Sequence, residues 1–199
     1  MYKLGITGGI GSGKSTATLY FKNEQTYIFD ADNEAKIHLQ NSIGLQHKIM
    51  NAFGTDLKTK SGSINLKKLA QRAFINQKEQ SILNGIMWPE IYLLIEKKIE
   101  KLKQNYKLFI VDAALIFEAN LQNLLDSVLL ITANEDIRIN RASKKLNLTK
   151  DQIINRIKLQ MNDKEKIKLA SYTIENNNTI LNLNAELKIF YNQIISSSL

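Results

Sequence analysis

The feature that most constrains this chain is a glycine-rich run near its start. Residues 8–15, GGIGSGKS, fit the pattern G-x-x-x-x-G-K-[ST] and directly follow a short apolar run at residues 4–6. Glycines let the backbone curl so that successive N–H groups point inward and bind an anion. A helix starting near Lys14 would add its N-terminal dipole to the same place. The run therefore predicts a phosphate-binding loop between a strand and a helix.

Each polar residue of this loop has an expected task in nucleotide binding. Lys14 should reach the β- and γ-phosphates, the Ser15 hydroxyl should ligate Mg²⁺, and Thr16 should add a phosphate contact. The backbone of the cradle would come from Gly9, Gly11, Ser12 and Gly13. The alternative is a glycine-rich turn that precedes a helix and binds nothing. The order of strand, loop, lysine and helix favours nucleotide binding but does not identify the phosphate acceptor.

Short apolar runs separated by helical patterns predict an α/β fold. Runs at residues 4–6, 27–29, 108–111 and 128–131 are typical of buried strands, and residues 172–174 form a weaker fifth. A helical spacing follows Pro89, which we expect in the first turn of that helix. Strands that alternate with helices indicate a parallel sheet covered on both faces, with ligands at the carboxyl ends of the strands.

The length of 199 residues fits one domain. Its core would comprise about 1–32, 107–135 and 171–199. The span of about 33–106 contains only helical patterns and polar turns, and it far exceeds the length of a minimal crossover. We interpret it as a helical insertion beside the sheet, either substrate-binding or purely structural.

Carboxylates stand where the second and third strands end. Asp30 and Asp32 follow residues 27–29 and should face the phosphate loop, where a carboxylate can accept the proton of an attacking hydroxyl. Helix capping is the alternative, and one aspartate could cap while the other acts. Asp112 ends the third strand, where it could hold a magnesium-bound water or simply be solvated.

The charge is positive and concentrated. The chain carries a net charge of +8, and residues 138–168 hold ten Lys or Arg against three acids. A polyanion such as ATP, nucleic acid, or a general bias of composition could each account for this excess. The absence of cysteine excludes disulfides and thiolate metal sites. Without a signal-like start or an apolar run long enough to span a bilayer, we expect a cytoplasmic protein.

Several motifs together resemble the dephospho-CoA kinase family along nearly the whole chain. They are GITGGIGSGKST, DAD after the second strand, AFGTDL, INLKKLAQRAF, SILNGIMWPEI, VDAALIFEANL and QMNDKEKIKLASYTIENN. The resemblance implies a three-layer P-loop kinase fold with a five-stranded parallel sheet, a helical substrate-binding insertion and a lid at about 136–170. It also implies the last step of coenzyme A biosynthesis, in which ATP with Mg²⁺ phosphorylates the ribose 3′-hydroxyl of dephospho-CoA.

The resemblance assigns roles to residues of this chain. Asp32 matches the catalytic base, assisted by Lys14 and by Arg141 of the lid. The remaining ATP-binding positions would be Arg138, Lys145, Asn176 and Asn177, in addition to the phosphate loop. The acceptor site would be lined by Thr7, Asp30, Asp32, Trp88, Leu115, Phe117 and Glu118.

Some positions depart from the family pattern. Trp88 replaces a usual histidine, Ala114 a proline and Ser171 an acid, and Lys145-Leu146 replaces an Arg-Asp pair. A lysine lacks the bidentate fork with which arginine binds phosphate. We expect packing or surface roles for His38 and His47, and residues 164–168 could form a solvated face.

Two other function classes remain. One is a different small-molecule kinase, such as a nucleoside monophosphate kinase. The other is a nucleotide-dependent switch or a nucleic-acid-binding ATPase, although the chain has no N-K-x-D-like motif for guanine. We expect small-molecule substrates, no nucleic acid or membrane partner, and a monomer or weak homo-oligomer.

Overall fold

The computed structural model describes residues 1–59, 62–146 and 148–198. Within these ranges one parallel sheet has the strand order β2-β3-β1-β4-β5. Its strands are β1 (Tyr2–Thr7), β2 (Thr26–Asp30), β3 (Leu108–Asp112), β4 (Ser127–Thr132) and β5 (Tyr172–Glu175). All five contain the predicted apolar runs, so the α/β fold class is confirmed.

Helices cover the sheet on both faces, as expected for parallel strands. They are α1 (Lys14–Tyr20), α2 (Ala31–Asn41), α3 (Ile43–Phe53), α4 (Leu66–Ala73), α5 (Gln77–Leu102), α6 (Glu135–Leu146), α7 (Lys150–Lys158), α8 (Asp163–Leu169) and α9 (Ile180–Ser198). No helix in the described part of the chain combines the length and the apolar character needed to cross a membrane.

The side chains of β3 show how the layers are built. Leu108 and Ile110 point to one face, where they pack in a core that includes Leu187 of α9. Phe109 and Val111 point to the other face and share a second core with residues of α5. This alternation follows from the two-residue period of a strand, so the interior strand β3 packs against both helical layers.

The register of the sheet brings the ends of its strands to one edge. Asp30 at the end of β2 lies opposite Asp112 at the end of β3, and Asp112 also lies opposite Ile6 of β1. The phosphate loop therefore begins beside two carboxylate-bearing strand ends. This edge is the place where ligands bind in open α/β sheets.

Between β2 and β3 the chain forms a separate helical layer around its own core. Leu39, Ile49, Leu57 and Leu69 are among the buried residues that hold α2, α3 and α4 together. The first half of α5 packs against this core, for example through Ile86. The second half of α5 packs on the sheet instead. One helix thus connects two hydrophobic cores.

Pro89 is not in the first turn of its helix, so that prediction is wrong. It lies inside α5, which begins at Gln77, and the side chain of Asn76 accepts a hydrogen bond from Glu79 N–H (2.9 Å) as the N-cap. A proline inside a helix forfeits one backbone hydrogen bond, here the one toward Gly85. The packing of both halves of α5 against two cores compensates for this local loss.

The interpretation of residues 164–168 as a solvated face is wrong for one residue. Lys164 and Lys168 are exposed, but Lys166 is completely buried. Its side chain points inward from α8 toward the segment after β3. A helical period places residues two positions apart on different sides, so a lysine run need not share one environment.

Candidate active site

The phosphate loop is closed by its own backbone and by two glycines with positive φ. Ser12 N–H donates to the carbonyl of Gly9 (3.0 Å), and φ is 77° at Gly11 and 99° at Gly13. A Cβ at Gly11 would collide with the backbone of Arg138, and one at Gly13 with the amide of Asn176. These positions require glycine for both conformation and space.

Side chains from distant segments hold the loop from outside. Arg138 Nε donates to the carbonyl of Ile10 (3.0 Å), and Asn176 Nδ2 donates to the carbonyl of Ser12 (2.8 Å). Gln160 Oε1 accepts from Ile10 N–H (3.2 Å). These contacts fix the backbone of the loop at both Ile10 and Ser12.

Lys14 reaches across the edge of the sheet to Asp112. Its ammonium and the carboxylate of Asp112 form an ion pair, with side-chain exposures of 15% and 10%. Both charges are thus largely removed from water, where each needs a partner. Asp112 is thus the partner of the cation that the loop would offer to a phosphate.

The two aspartates after β2 have different environments. Asp30 is the N-cap of α2, and its Oδ1 accepts a hydrogen bond from Asn33 N–H (3.0 Å). Asp32 lies in the first turn of the same helix, and no hydrogen bond to its side chain is found within the described ranges. One carboxylate therefore caps the helix while the other remains available.

The surroundings of Asp32 raise its pKa above the ordinary aspartate value. The carboxylate is open to solvent at the mouth of the site, yet protein surrounds it closely and the resulting desolvation is the largest cause. The charges of Asp30 and Asp112 act in the same direction, while those of Lys14 and Lys36 oppose it. These couplings place Asp32 within electrostatic range of the phosphate-loop lysine.

The predicted acceptor residues are distributed between cleft and core. Thr7 is buried and its hydroxyl donates to the carbonyl of Ala114 (3.3 Å), while Leu115 and Trp88 are half-buried. Phe117 is only 4% exposed and packs in the core beneath the sheet edge. Phe117 therefore supports the segment after β3 from below.

Glu118 does not face open solvent either. Its Oε1 pairs with Lys166 Nζ (3.0 Å) and accepts from Met161 N–H (2.9 Å). The same ammonium donates to the carbonyl of Ala114 (3.2 Å). Glu118 thus connects the segment after β3 to the start of α8.

The predicted ATP-binding residues differ in their exposure to solvent. Arg138 is 5% exposed and binds Asp163 (2.8 Å), so it supports the phosphate loop in this arrangement instead of pointing into the cleft. Arg141 donates to the carbonyl of Asn176 (2.8 Å), and Asn177 Oδ1 accepts from Asn134 N–H (2.8 Å). Ser15, Thr16 and Lys145 are exposed.

Sequence reasoning missed several residues that shape this site. Gln160, Asp163 and Lys166 contact the phosphate loop, Arg138 and the segment after β3 respectively. The signal that could have found them is the concentration of polar residues in QMNDKEK, between two helical patterns. A polar run gives no indication of which members point inward.

The fold and the site together define a P-loop protein of the kinase type. A glycine-rich loop follows the central strand of a parallel sheet, a lysine begins the next helix, and carboxylates end the two strands on one side of that central strand. Comparison with protein families makes the assignment specific. The dephospho-CoA kinase family matches residues 2–182, and the chain belongs to this family.

Individual relatives agree with this assignment over nearly the whole chain. A dephospho-CoA kinase of Fusobacterium nucleatum is 31% identical over 187 residues, covering 94% of this chain and 95% of the relative. One from Corynebacterium glutamicum is 30% identical and covers 98% of both chains. One from Dehalococcoides mccartyi is 37% identical, covering 87% of this chain and 88% of the relative.

Solved structures show the same architecture. A dephospho-CoA kinase from Campylobacter jejuni superposes with a TM-score of 0.70 at 26% identity, covering 99% of this chain and 98% of that one. The protein TT1252 from Thermus thermophilus superposes with a TM-score of 0.79 at 23% identity, covering 100% and 98%. The second likeness concerns the fold alone.

Proposed function

We propose that this protein is a dephospho-CoA kinase, which transfers the γ-phosphate of ATP to the ribose 3′-hydroxyl of dephospho-CoA. The observation that carries the proposal is that Lys14 pairs with Asp112, which lies opposite Asp30 at the sheet edge, two residues before Asp32. A cation for the transferring phosphate thus lies within electrostatic range of a carboxylate for the attacking hydroxyl. Phosphoryl transfer requires mainly such positioning and charge stabilisation.

Asp32 is proposed as the residue that orients the acceptor hydroxyl and takes its proton. Its carboxylate is free because Asp30 provides the cap of α2. The raised pKa brings its basicity nearer to neutral pH than that of an ordinary aspartate. Asp30, next to it, would line the acceptor pocket with its remaining oxygen.

Lys14 is proposed to exchange partners when the nucleotide binds. In the structure its ammonium pairs with Asp112. The phosphates of ATP would compete for it, since a phosphate carries more charge than one carboxylate. The ammonium can then stay with the γ-phosphoryl group as charge moves toward the leaving oxygen.

The residues fit a magnesium ion bound together with ATP. The Ser15 hydroxyl is exposed at the first turn of α1, and Asp112 lies at the neighbouring strand end, where it can hold a metal-bound water. No cluster of three metal-ligating side chains occurs among the residues that the structure describes. When bound, Mg²⁺ would neutralise charge on the β- and γ-oxygens.

The helical region of about 33–106 is proposed to carry part of the acceptor site, and about 136–170 to act as the lid over ATP. Trp88 on α5 and Leu115 after β3 would contribute apolar surface to the acceptor. Arg141 and Lys145 would approach the phosphates as the lid closes, and Asn176 with Asn177 would border the adenine. Closure would exclude water and so limit hydrolysis of ATP.

The test incubates the protein with Mg-ATP and a panel of acceptors and measures product masses. We expect dephospho-CoA to gain one phosphate while AMP, UMP and CMP do not. Phosphorylation of a nucleoside monophosphate without reaction of dephospho-CoA would assign the protein to the other kinase class. We further propose that the protein is cytoplasmic. We also propose a monomer or weak homo-oligomer, an oligomeric state that light scattering of the purified protein can test.

A further inference from the structure

We infer that Lys166 is a positioning residue, which sets the segment after β3 against the phosphate loop through its hydrogen bond to the Ala114 carbonyl. This inference rests on the proposed function, because that segment carries Leu115 of the acceptor site. The role concerns acceptor placement and leaves ATP binding to the phosphate loop itself.

The first observation is the burial of a lysine with two defined partners. Lys166 is 0% exposed, and its ammonium lies 3.0 Å from Glu118 Oε1 and 3.2 Å from the Ala114 carbonyl. A buried ammonium is costly unless it is paired and hydrogen-bonded. An apolar residue of similar length would fill the space without this cost, so the charge has a use besides packing.

The second observation concerns what the Ala114 carbonyl connects. It accepts hydrogen bonds from Lys166 and also from the hydroxyl of Thr7, the last residue of β1 before the glycine-rich turn. This one carbonyl therefore joins the start of the phosphate loop to the segment after β3 and to α8. Leu115 follows it directly, so the direction of the carbonyl affects the placement of the acceptor wall.

The third observation is that the chain just before Lys166 also holds the phosphate loop. Gln160 accepts from Ile10 N–H, and Asp163 binds Arg138, which in turn donates to the Ile10 carbonyl. Residues 160–166 therefore contact the phosphate loop at one end and the segment after β3 at the other. A single short segment fixes the two halves of the site relative to each other.

This segment immediately follows α6 and α7, which span most of the proposed lid. Glu118 Oε2 is buried and accepts no hydrogen bond within residues 1–59, 62–146 and 148–198, so the carboxylate is held through Oε1 alone. Because residues 160–166 belong to the proposed lid, their shift during closure would move the Lys166 ammonium and, through its hydrogen bond, the Ala114 carbonyl. Misplacement by about 1 Å can reduce turnover by about a hundredfold.

The test compares Lys166→Met with wild type and with Lys164→Met, an equal change at an exposed position of the same helix. We expect kcat/KM for dephospho-CoA to fall by at least about tenfold in Lys166→Met, while KM for ATP changes less than about twofold. Lys164→Met should match wild type. Equal increases of KM for ATP and KM for dephospho-CoA, or an unchanged kcat/KM for dephospho-CoA in Lys166→Met, would overturn the inference.

Two further variants separate positioning from stability. Glu118→Gln keeps the Lys166–Ala114 hydrogen bond, so its loss of kcat/KM should be smaller than that of Lys166→Met. The double variant, Glu118→Gln with Lys166→Met, removes both charges, so its thermal midpoint should recover while its kcat/KM stays low. Three outcomes would show that the Lys166–Glu118 pair is only structural. They are recovery of both the thermal midpoint and kcat/KM in the double variant, a larger loss of kcat/KM in Glu118→Gln than in Lys166→Met, and failure of every variant to fold.

The outcome is separable from that of the proposed function. Wild-type protein that fails to phosphorylate dephospho-CoA would refute the function before any variant is compared. Active wild type with unaffected Lys166→Met would refute only the positioning role.

Discussion

Lys14 of the phosphate loop and Asp112 at the end of β3 form an ion pair across the carboxyl edge of the sheet. The pair joins the start of α1 to the end of β3, the strand that lies beside β1 with Ile6 opposite Asp112. It keeps the lysine extended toward the place where phosphate is expected. The ammonium and the carboxylate therefore neutralise each other beside the phosphate loop.

Replacing Lys14 by Ala should abolish transfer. The variant lacks the cation that would follow the γ-phosphoryl group, so we expect kcat to fall by at least about a thousandfold. Release of ADP in the presence of dephospho-CoA measures this rate. Lys22→Ala, at an exposed position just after α1, should retain normal activity. A Lys14→Ala enzyme with full activity would contradict the phosphate-loop assignment.

Asp112→Asn should increase the requirement for magnesium. If Asp112 holds a metal-bound water, its loss should raise the Mg²⁺ concentration for half-maximal rate by about tenfold or more. A titration of rate against Mg²⁺ at saturating ATP measures the change. Glu24→Gln removes an exposed carboxylate and serves as the control for net charge. An unchanged magnesium curve would leave Asp112 only as the partner of Lys14.

Asp32→Asn should reduce kcat by about 10² to 10⁴-fold, with little effect on KM for ATP. An amide can accept a hydrogen bond from the acceptor hydroxyl but cannot take its proton. Asp30→Asn is the matched comparison, because asparagine also caps helices well and preserves the bond to Asn33. Steady-state kinetics should thus separate two neighbouring aspartates. Similar losses in both would remove Asp32 as the base.

The pH dependence of the wild type should reflect the raised pKa of Asp32. Desolvation favours the protonated carboxyl, so activity should fall with decreasing pH at a higher pH than the ordinary aspartate pKa of 3.8 would allow. This fall of activity at low pH should be absent from the residual activity of Asp32→Asn. Profiles of kcat/KM for the two proteins provide the measurement.

The same shift makes a prediction for stability. Because the folded-state pKa is raised, the ionised carboxylate costs folding free energy above that pKa, and the cost vanishes as the pH falls through it. Asp32→Asn should therefore unfold at a higher temperature than wild type at neutral pH. The difference should disappear in acid. A variant less stable at neutral pH would contradict the desolvation of Asp32.

Two glycine substitutions should have opposite effects. Gly11→Ala places a side chain at φ 77° against the backbone of Arg138, so it should weaken ATP binding and lower the unfolding temperature. Gly85→Ala lies on an exposed part of α5 with open space around it. There alanine should stabilise by about 0.5–1 kcal/mol. Thermal unfolding with and without Mg-ATP distinguishes the two.

Features that depend on local pattern were predictable from the sequence. β3 and β4 are short apolar runs, because a strand buried on both faces has no polar side, and the glycine-rich loop has its own spacing. The two aspartates at a strand end left helix capping open as an alternative for one of them, and Asp30 caps α2 in the structure.

Features that depend on distant pairing were not predictable. Arg138 was expected over ATP, yet it is bound to Ile10 and Asp163 in the structure. Lys166 was grouped with solvated lysines because nothing in a run of lysines marks the one whose partner lies 48 positions earlier, at Glu118. Pro89 was placed at a helix start, since proline favours that position unless tertiary packing overrides it.

The course of α5 has a mechanical consequence. The helix leaves the core of the helical layer after Met87 and enters the core of the sheet at Ile91, and Pro89 stands at this transition. Pro89 has no N–H to donate to the Gly85 carbonyl, so bending of the helix at Pro89 breaks no backbone hydrogen bond there. A tilt of the helical layer toward the phosphate loop would therefore pivot near Pro89. Removal of either half of α5 would expose the hydrophobic core against which that half packs.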